Sequence, residues 1–131
     1  MRVHEKPAVV PAEVVMQLRR ATGLGVLHAK ELLTEASPLL YSRLTEAAQT
    51  QPREDPRGPN YRGLYDPIED DSELKKVIQK VEQETEEALR DRKRGMGFCH
   101  LFWNTKQRIL KEKHGIEWFT PVQMNPGSIY D

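Results

Sequence analysis

The chain has 131 residues, 37% hydrophobic and 31% charged, which is enough for one globular domain with a core of its own. Twenty basic residues balance twenty acidic ones, and this neutral total argues against a dedicated nucleic-acid binder and against attraction to anionic membranes. The single cysteine, Cys99, allows no intrachain disulfide, and no run reaches the roughly 18 apolar residues of a membrane span, so we expect a cytoplasmic protein without a membrane partner.

Three short helices are predicted for the first 50 residues. The first covers about 11–22, the second about 26–35, and the third follows Ser37, a good N-cap residue. Each has apolar residues at spacings of three and four, and therefore one face to bury. The predicted buried face of the second helix consists of Val26, Ala29, Leu32 and Leu33. No single helix can bury its face alone, so we expect residues 1–50 to form a three-helix unit.

Two glycines, Gly23 and Gly25, separate the first two helices. Gly23 suits the left-handed conformation that ends a helix, and we interpret Gly25 as the residue that lets the chain turn without a side-chain clash. A phosphate-binding loop would need more glycines, a preceding strand and a Lys-Ser/Thr ending, whereas Lys30 comes too late. The pair therefore predicts a corner between two helices.

The segment 51–69 is predicted to be a linker or an ordered crossing loop. Four prolines and two glycines lie between residues 50 and 69 without any period. Tyr61, Leu64 and Tyr65 suggest that the segment packs against the rest of the protein, because a free tether would rarely carry such residues so close together.

Residues 70–131 are predicted to form a helical hairpin followed by a turn segment. A long helix starts with Asp70 as its capping residue and ends in a basic last turn at 90–94, a charge order that complements the helix dipole. A final helix covers about 98–114 and ends at Gly115, with Ile116 as the hydrophobic partner of the cap. The predicted fold is all-α, with five principal helices: an N-terminal three-helix unit and a C-terminal long-helix pair.

The stretch LRRATGLGVLHAKELLTEA, residues 18–36, resembles two known patterns. It is similar to the N-terminal domain of elongation factor Ts, a three-helix ubiquitin-associated (UBA) fold, where a Leu-Arg helix end also meets Thr-Gly-x-Gly. Its corner more weakly resembles the C-terminal domain of the bacterial ribosomal stalk protein, which would need a strand after its second helix. The resemblance covers residues 12–48. It implies a compact unit that docks on other proteins or on a ribosome-bound partner.

No catalytic, cofactor or metal site can be assembled from sequence neighbours, so we predict neither an enzyme nor a bound cofactor. Cys99 and His100 are adjacent, and adjacent helical residues point about 100° apart, which excludes a nucleophile and base pair. About 21 Å of helix rise separates His100 from His114, too far for a shared metal. An enzyme whose site combines distant residues such as Asp66, Asp70, His100 and His114 stays open.

Two groups of residues are candidates for protein binding. The acidic cluster that starts at Asp66 would complement a basic partner, and it lacks the ligand spacing of a calcium loop. The aromatic residues near the C-terminus include anchors typical of protein interfaces. The predicted binding residues are Asp66, Glu69, Asp70, Asp71, Trp103, Trp118 and Phe119.

These observations favour a small non-enzymatic protein that binds another protein, as an inhibitor or an immunity-type partner that masks a larger protein. The main alternative is a ribosome- or nucleic-acid-associated factor. It is supported by the corner motif and by basic residues between 90 and 113 that are interleaved with Phe98, Phe102 and Trp103.

Overall fold

The computed structural model describes residues 6–51, 63–95 and 97–126. Over these ranges the chain is all-α, with six α-helices, one 3-10 helix and no β-strand. The helices are α1 (Ala12–Thr22), α2 (Val26–Glu35), α3 (Pro38–Thr50), the 3-10 helix (Pro67–Asp70), α4 (Ser72–Ala88), α5 (Phe98–His114) and α6 (Pro121–Met124). The predicted class and the five principal helices are therefore confirmed. No helix in the described part of the chain is long and apolar enough to cross a membrane.

Helix ends follow local capping chemistry at several positions. Ser37 caps α3, since its hydroxyl accepts a hydrogen bond from Leu40 N–H at 3.2 Å. Gly115 ends α5 in the left-handed conformation, at φ 66°, and Ile116 N–H then donates to the Leu110 carbonyl at 3.0 Å. The side chain of Ile116 packs against the core, as predicted for the cap.

The start and the end of α4 differ from the prediction. Asp71 is the capping residue, and its carboxylate accepts from Glu73 N–H at 2.8 Å, whereas Asp70 belongs to the preceding 3-10 helix. The helix ends at Ala88, so residues 90–94 lie beyond it. Leu89 is the last buried apolar residue before this basic run, and without an apolar face the run has no packing to keep it helical.

The corner between α1 and α2 is formed as predicted, but only Gly23 needs to be glycine. Gly23 has φ 77°, and its N–H donates to the Arg19 carbonyl at 2.7 Å. Gly25 has φ −68°, and a Cβ built on it would meet no atom within 4 Å. The interpretation of Gly25 as relief from a clash is therefore wrong.

Helices α1 to α3 share one apolar core, which we call the first cluster. Its buried members are Val10, Val15, Leu18, Ala21, Ala29, Leu33, Ala36, Tyr41, Leu44, Ala47, Ala48, Leu64 and Met124. Five of the thirteen are alanines, and small side chains at helix contacts let the backbones approach closely. Leu64 and Met124 lie outside residues 1–50, so two later segments complete the core of the three helices.

Asn125 ties these two later segments together. Its Oδ1 accepts from Leu64 N–H at 2.8 Å, and its Nδ2 donates to the carbonyls of Leu64 at 2.6 Å and Pro121 at 3.0 Å. Gly63 has φ 82°, and a Cβ there would stand 2.8 Å from Asn125 Oδ1. The second part of the predicted linker is thus packed against the protein, while Tyr61 lies outside the described residues.

Helices α4 and α5 pack against each other around a second, smaller cluster. Its buried members are Ile78, Val81, Leu110 and Trp118. Thr85, Thr105 and Lys106 are also buried at the facing positions of the two helices. The boundaries predicted for the domains stay a prediction, but the apolar packing does fall into two clusters.

Candidate functional site

The predicted acidic cluster does not form one surface, because its first member points inward. Asp66 has no exposed area. Its Oδ2 accepts from Arg43 Nη1 at 2.6 Å and from Phe119 N–H at 2.9 Å, and its Oδ1 accepts from Ile68 N–H at 3.1 Å. Asp66 therefore joins α3, the 3-10 helix and the segment after α5. A carboxylate with these three donors has a structural role in the monomer.

Glu69 and Trp118 form the next part of this polar junction. Trp118 is buried, and its Nε1 donates to Glu69 Oε2 at 2.9 Å. Burial raises the pKa of the Glu69 carboxyl above its ordinary value of 4.5, although the Trp118 hydrogen bond and the nearby Lys106 oppose the shift. The Lys106 ammonium lies 4.3 Å from the centre of the Trp118 ring and pairs with Glu82 at 2.9 Å.

The other predicted binding residues are more accessible. Asp70 and Asp71 are exposed; Asp70 accepts from the Tyr65 hydroxyl at 2.7 Å, and Asp71 caps α4. Phe119 is half-buried, with the Arg43 guanidinium 5.7 Å from its ring centre. Trp103 is half-buried too and packs against the second cluster. Whether these residues bind a protein stays a prediction.

The residues of the open enzyme alternative lie in different surroundings. Asp66 is engaged with Arg43, while His100 stacks edge-on against Trp103, with ring centres 5.7 Å apart. His114 is in the last turn of α5, and its Nε2 is buried without a hydrogen-bond partner among the described residues. Within the described ranges no three His, Cys, Asp or Glu side chains are grouped so that they could hold a metal ion.

The surface that stands out in the structure is an apolar corner at the start of α2. We define the corner surface as Met16, Leu24, Val26 and Leu27. Leu27 is 78% exposed and Val26 47%, so the placement of Val26 in the buried face of α2 is wrong. Every other leucine in the chain is buried or half-buried. The sequence signal was present: Ala29, Leu32 and Leu33 already fill the buried face, which leaves the preceding apolar pair without a place in the core.

Local hydrogen bonds restrain the backbone at the corner, next to Val26 and Leu27. Arg19 Nε donates to the Leu24 carbonyl at 3.3 Å, and its Nη1 lies 3.6 Å from Met16 Sδ. Leu24 N–H donates to the Thr22 hydroxyl at 3.2 Å, and that hydroxyl donates to the Leu18 carbonyl at 2.7 Å. The exposed side chains thus stand on a fixed backbone, which lowers the entropy cost of binding.

Basic residues outnumber acidic ones next to the corner, where Glu13 lies at helical spacing from Met16 and Glu31 from Leu27. Arg20 and Lys30 are exposed, and Lys30 neighbours Val26 and Leu27 at helical spacing. Gly25 offers α2 no side-chain cap, so the N–H groups of the first turn add the positive end of the helix dipole.

Comparison of the chain with protein-family models, with curated proteins and with solved structures finds no match.

Proposed function

We propose that this protein is a non-enzymatic binding protein that docks on another protein through the corner surface. The observation that carries the proposal is the 78% exposure of Leu27 beside the 47% exposure of Val26, on a backbone fixed by Gly23 and Arg19. An exposed valine and leucine at the start of a helix cost solubility and contribute little to this chain's own core. Burial of such a pair against a partner would remove their apolar area from water.

The partner that fits is a protein with an apolar patch bordered by carboxylates. Arg20, Lys30 and the uncapped start of α2 place positive charge around the apolar centre. Complementary charges at the rim of an interface orient the encounter and exclude wrong partners. The finer proposal is that this chain masks a surface of a larger protein, as an inhibitor or an immunity-type protein does.

The resemblance of residues 12–48 to the N-terminal domain of elongation factor Ts supports the same class of function, because it implies a three-helix docking unit. The corner surface includes Leu24 to Leu27, which overlaps the Thr-Gly-x-Gly stretch that carries the resemblance. Docking on a ribosome-bound protein is therefore a specific form of the proposal.

The test uses a photo-crosslinking amino acid at position 27, in the full chain expressed in its native cells. The matched control carries the same amino acid at position 9, because Val9 is also apolar and 77% exposed. Val9 lies close in the chain to Lys6, which donates a hydrogen bond to the Ala36 carbonyl just after the C-terminal end of α2. Position 9 is therefore near the end of α2 that is opposite to the corner surface. We expect one stoichiometric protein adduct from position 27 and none from position 9.

Two sets of variants test whether the partner binds at the corner surface or at the acidic residues. Leu27→Asp should abolish recovery of that partner, while Val9→Asp should not. Asp70→Asn and Glu73→Gln, which remove exposed acidic charge near the start of α4, should leave recovery unchanged. Loss of the partner in the acidic variants with retention in Leu27→Asp would assign binding to the acidic cluster and overturn the proposal.

A further inference from the structure

The neutral total charge conceals two oppositely charged segments. Residues 66–73 contain five acidic residues and no basic one, whereas residues 90–94 contain four basic residues and one acidic residue. A ligand responds to the local charge within about 10 Å at ordinary salt, and not to the sum over the chain. The neutral sum therefore does not exclude an anionic ligand at the basic segment.

A cleft lies where this basic segment meets α5. Leu89, Leu101 and Thr105 contribute its less polar lining, and Arg92, Asn104 and Arg108 contribute polar groups. We call it the arginine cleft. Its volume of about 420 Å³ is in the range of small-ligand sites, and no acidic residue lines it.

The side chains of the two arginines of the cleft are exposed, and among the described residues neither guanidinium has an ion-pair or hydrogen-bond partner. Three neighbouring basic residues, in contrast, form ion pairs: Arg90 with Glu87, Lys111 with Glu117, and Lys113 with Glu84. Within the described ranges, the guanidinium donors of Arg92 and Arg108 are thus left for a ligand. Arginine is well suited to phosphate because its planar donors can bind two oxygens at once.

Aromatic rings stand next to the cleft on the same helix. Phe98 is three residues before Leu101, and its ring centre lies 6.4 Å from that of Phe102. Both rings are half-buried, and neither packs against the first or the second cluster. The Arg94 guanidinium lies 4.8 Å from the centre of the Phe98 ring. Both rings are thus partly exposed, and the Arg94 guanidinium is a flat group that already lies over one of them.

We propose that the arginine cleft and the two phenylalanines bind single-stranded nucleic acid. Arg92 and Arg108 contact phosphates, and Phe98 and Phe102 stack on bases. Stacking platforms beside basic grooves are the usual means of binding single strands without sequence preference. The rings favour a nucleic acid over an acidic peptide, and they favour a single strand over a duplex because paired bases do not expose their faces.

The test measures the binding of a fluorescein-labelled RNA of about 12 nucleotides by fluorescence anisotropy at about 50 mM salt. We expect the affinity to fall on adding salt, with a slope of about −1.4 in log K against log salt for two phosphate contacts. The double variant R92Q/R108Q should bind at least about tenfold more weakly and lose most of the salt dependence. Phe98→Leu, which keeps the apolar bulk, should weaken binding about tenfold through lost stacking.

The matched control is K75Q/K76Q, which removes the same charge from two exposed lysines on the early turns of α4. Its affinity should stay within about twofold of the native value, because its lysines lie away from the cleft. Circular dichroism of every variant verifies the helical fold. The corner variant Leu27→Asp should bind RNA normally, which separates this proposal from the protein-binding proposal.

Four results would overturn the proposal. One is no RNA binding at about 100 µM protein. The second is equal affinity for a duplex of the same sequence. The third is equal affinity for polyglutamate. The fourth is an unchanged affinity in Phe98→Leu while the arginine variant loses binding. The last two would assign the cleft to anions in general.

Discussion

The two clusters of this protein differ in size and in the share of polar residues buried around them. The first cluster contains thirteen buried residues, nearly all aliphatic, and no polar residue of α1, α2 or α3 is buried. The second contains four. All buried polar or charged residues in the described part of the chain come after residue 63: Asp66, Thr85, Thr105, Lys106, Thr120 and Asn125.

This difference has a physical consequence. Apolar packing depends on shape and volume and responds little to pH or salt. Buried polar pairs stabilise only while every partner is present, and removal of one partner leaves the other buried and unsatisfied. The first cluster should therefore tolerate conservative changes, and the second should depend on particular contacts. Asp66 is one of the contacts that join the two, because it accepts from Arg43 of the first region and from Ile68, which packs against the second cluster.

Asp66→Ala should have the largest effect, because two backbone N–H groups lose their acceptor and Arg43 Nη1 keeps only the Glu117 carbonyl, at 3.0 Å. We expect the free energy of unfolding to fall by about 3–5 kcal/mol. Both tryptophans of the chain lie at the second cluster, so tryptophan fluorescence reports that region, and circular dichroism reports all helices. In urea, the fluorescence transition of Asp66→Ala should precede the circular dichroism transition.

The control for this experiment is Asp70→Ala, which removes an exposed carboxylate bonded to the Tyr65 hydroxyl. It should change stability by less than about 0.5 kcal/mol. If the fluorescence and circular dichroism transitions of Asp66→Ala coincide at the urea midpoint of the native protein, the junction does not connect the two regions.

A smaller effect is expected at the corner of the first region, where two glycines provide a matched pair. Gly23→Ala forces a side chain into φ 77° and should cost about 1–2 kcal/mol. Gly25→Ala has an ordinary φ and open space, so it should cost no more than about 0.5 kcal/mol. Thermal unfolding of the two variants measures the difference, and equal losses would refute the assignment of the left-handed position to Gly23 alone.

The smallest effect concerns pH and the second region. The pKa of Glu69 is raised by burial, so the folded state holds this proton more tightly than the unfolded state. Stability contributed at this site is present below the ordinary value of 4.5 and is lost as pH rises through the raised pKa. Glu69→Gln keeps an oxygen acceptor for Trp118 and cannot ionise. We expect the variant to gain stability relative to the native protein as pH rises from about 4 to about 7.

Urea denaturation of both proteins across this pH range tests the prediction. The difference between the two free energies of unfolding is free of the titration of all other groups, because these groups are the same in both proteins. The comparison therefore contains its own control. If this difference in the free energy of unfolding stays constant, or if the native protein becomes more stable relative to the variant at higher pH, the result would contradict the raised pKa of Glu69.

Local chemistry explains why much of the fold could be predicted from the sequence. The predicted bounds of α5 agree with the structure because Gly97 and Gly115 flank it, both in the left-handed conformation. Ser37 and Thr120 cap their helices through hydrogen bonds that span three residues. The end of α4 was missed because charge order alone suggested helix where no apolar face continued.

The candidate sites were harder to predict because burial depends on distant residues. Asp66 and Asp70 belong to one acidic run, yet Asp66 turns inward to Arg43, 23 positions earlier, and to Phe119, 53 positions later. The sequence drew attention to the glycines of the corner, but the exposure of Leu27 depends on which face of α2 packs against α1. The arginine cleft exists only where the end of α4 and the residues after it meet α5.

What the amino-acid sequence determined by itself is the all-α class, the corner at Gly23 and most helix limits, because each depends on hydrogen bonds and backbone angles within a few residues. Only the tertiary structure decided which acidic and apolar side chains are buried and which are accessible to a partner. Burial is a property of the surroundings, and here the surroundings of Asp66 and Trp118 are supplied by segments far away in the chain.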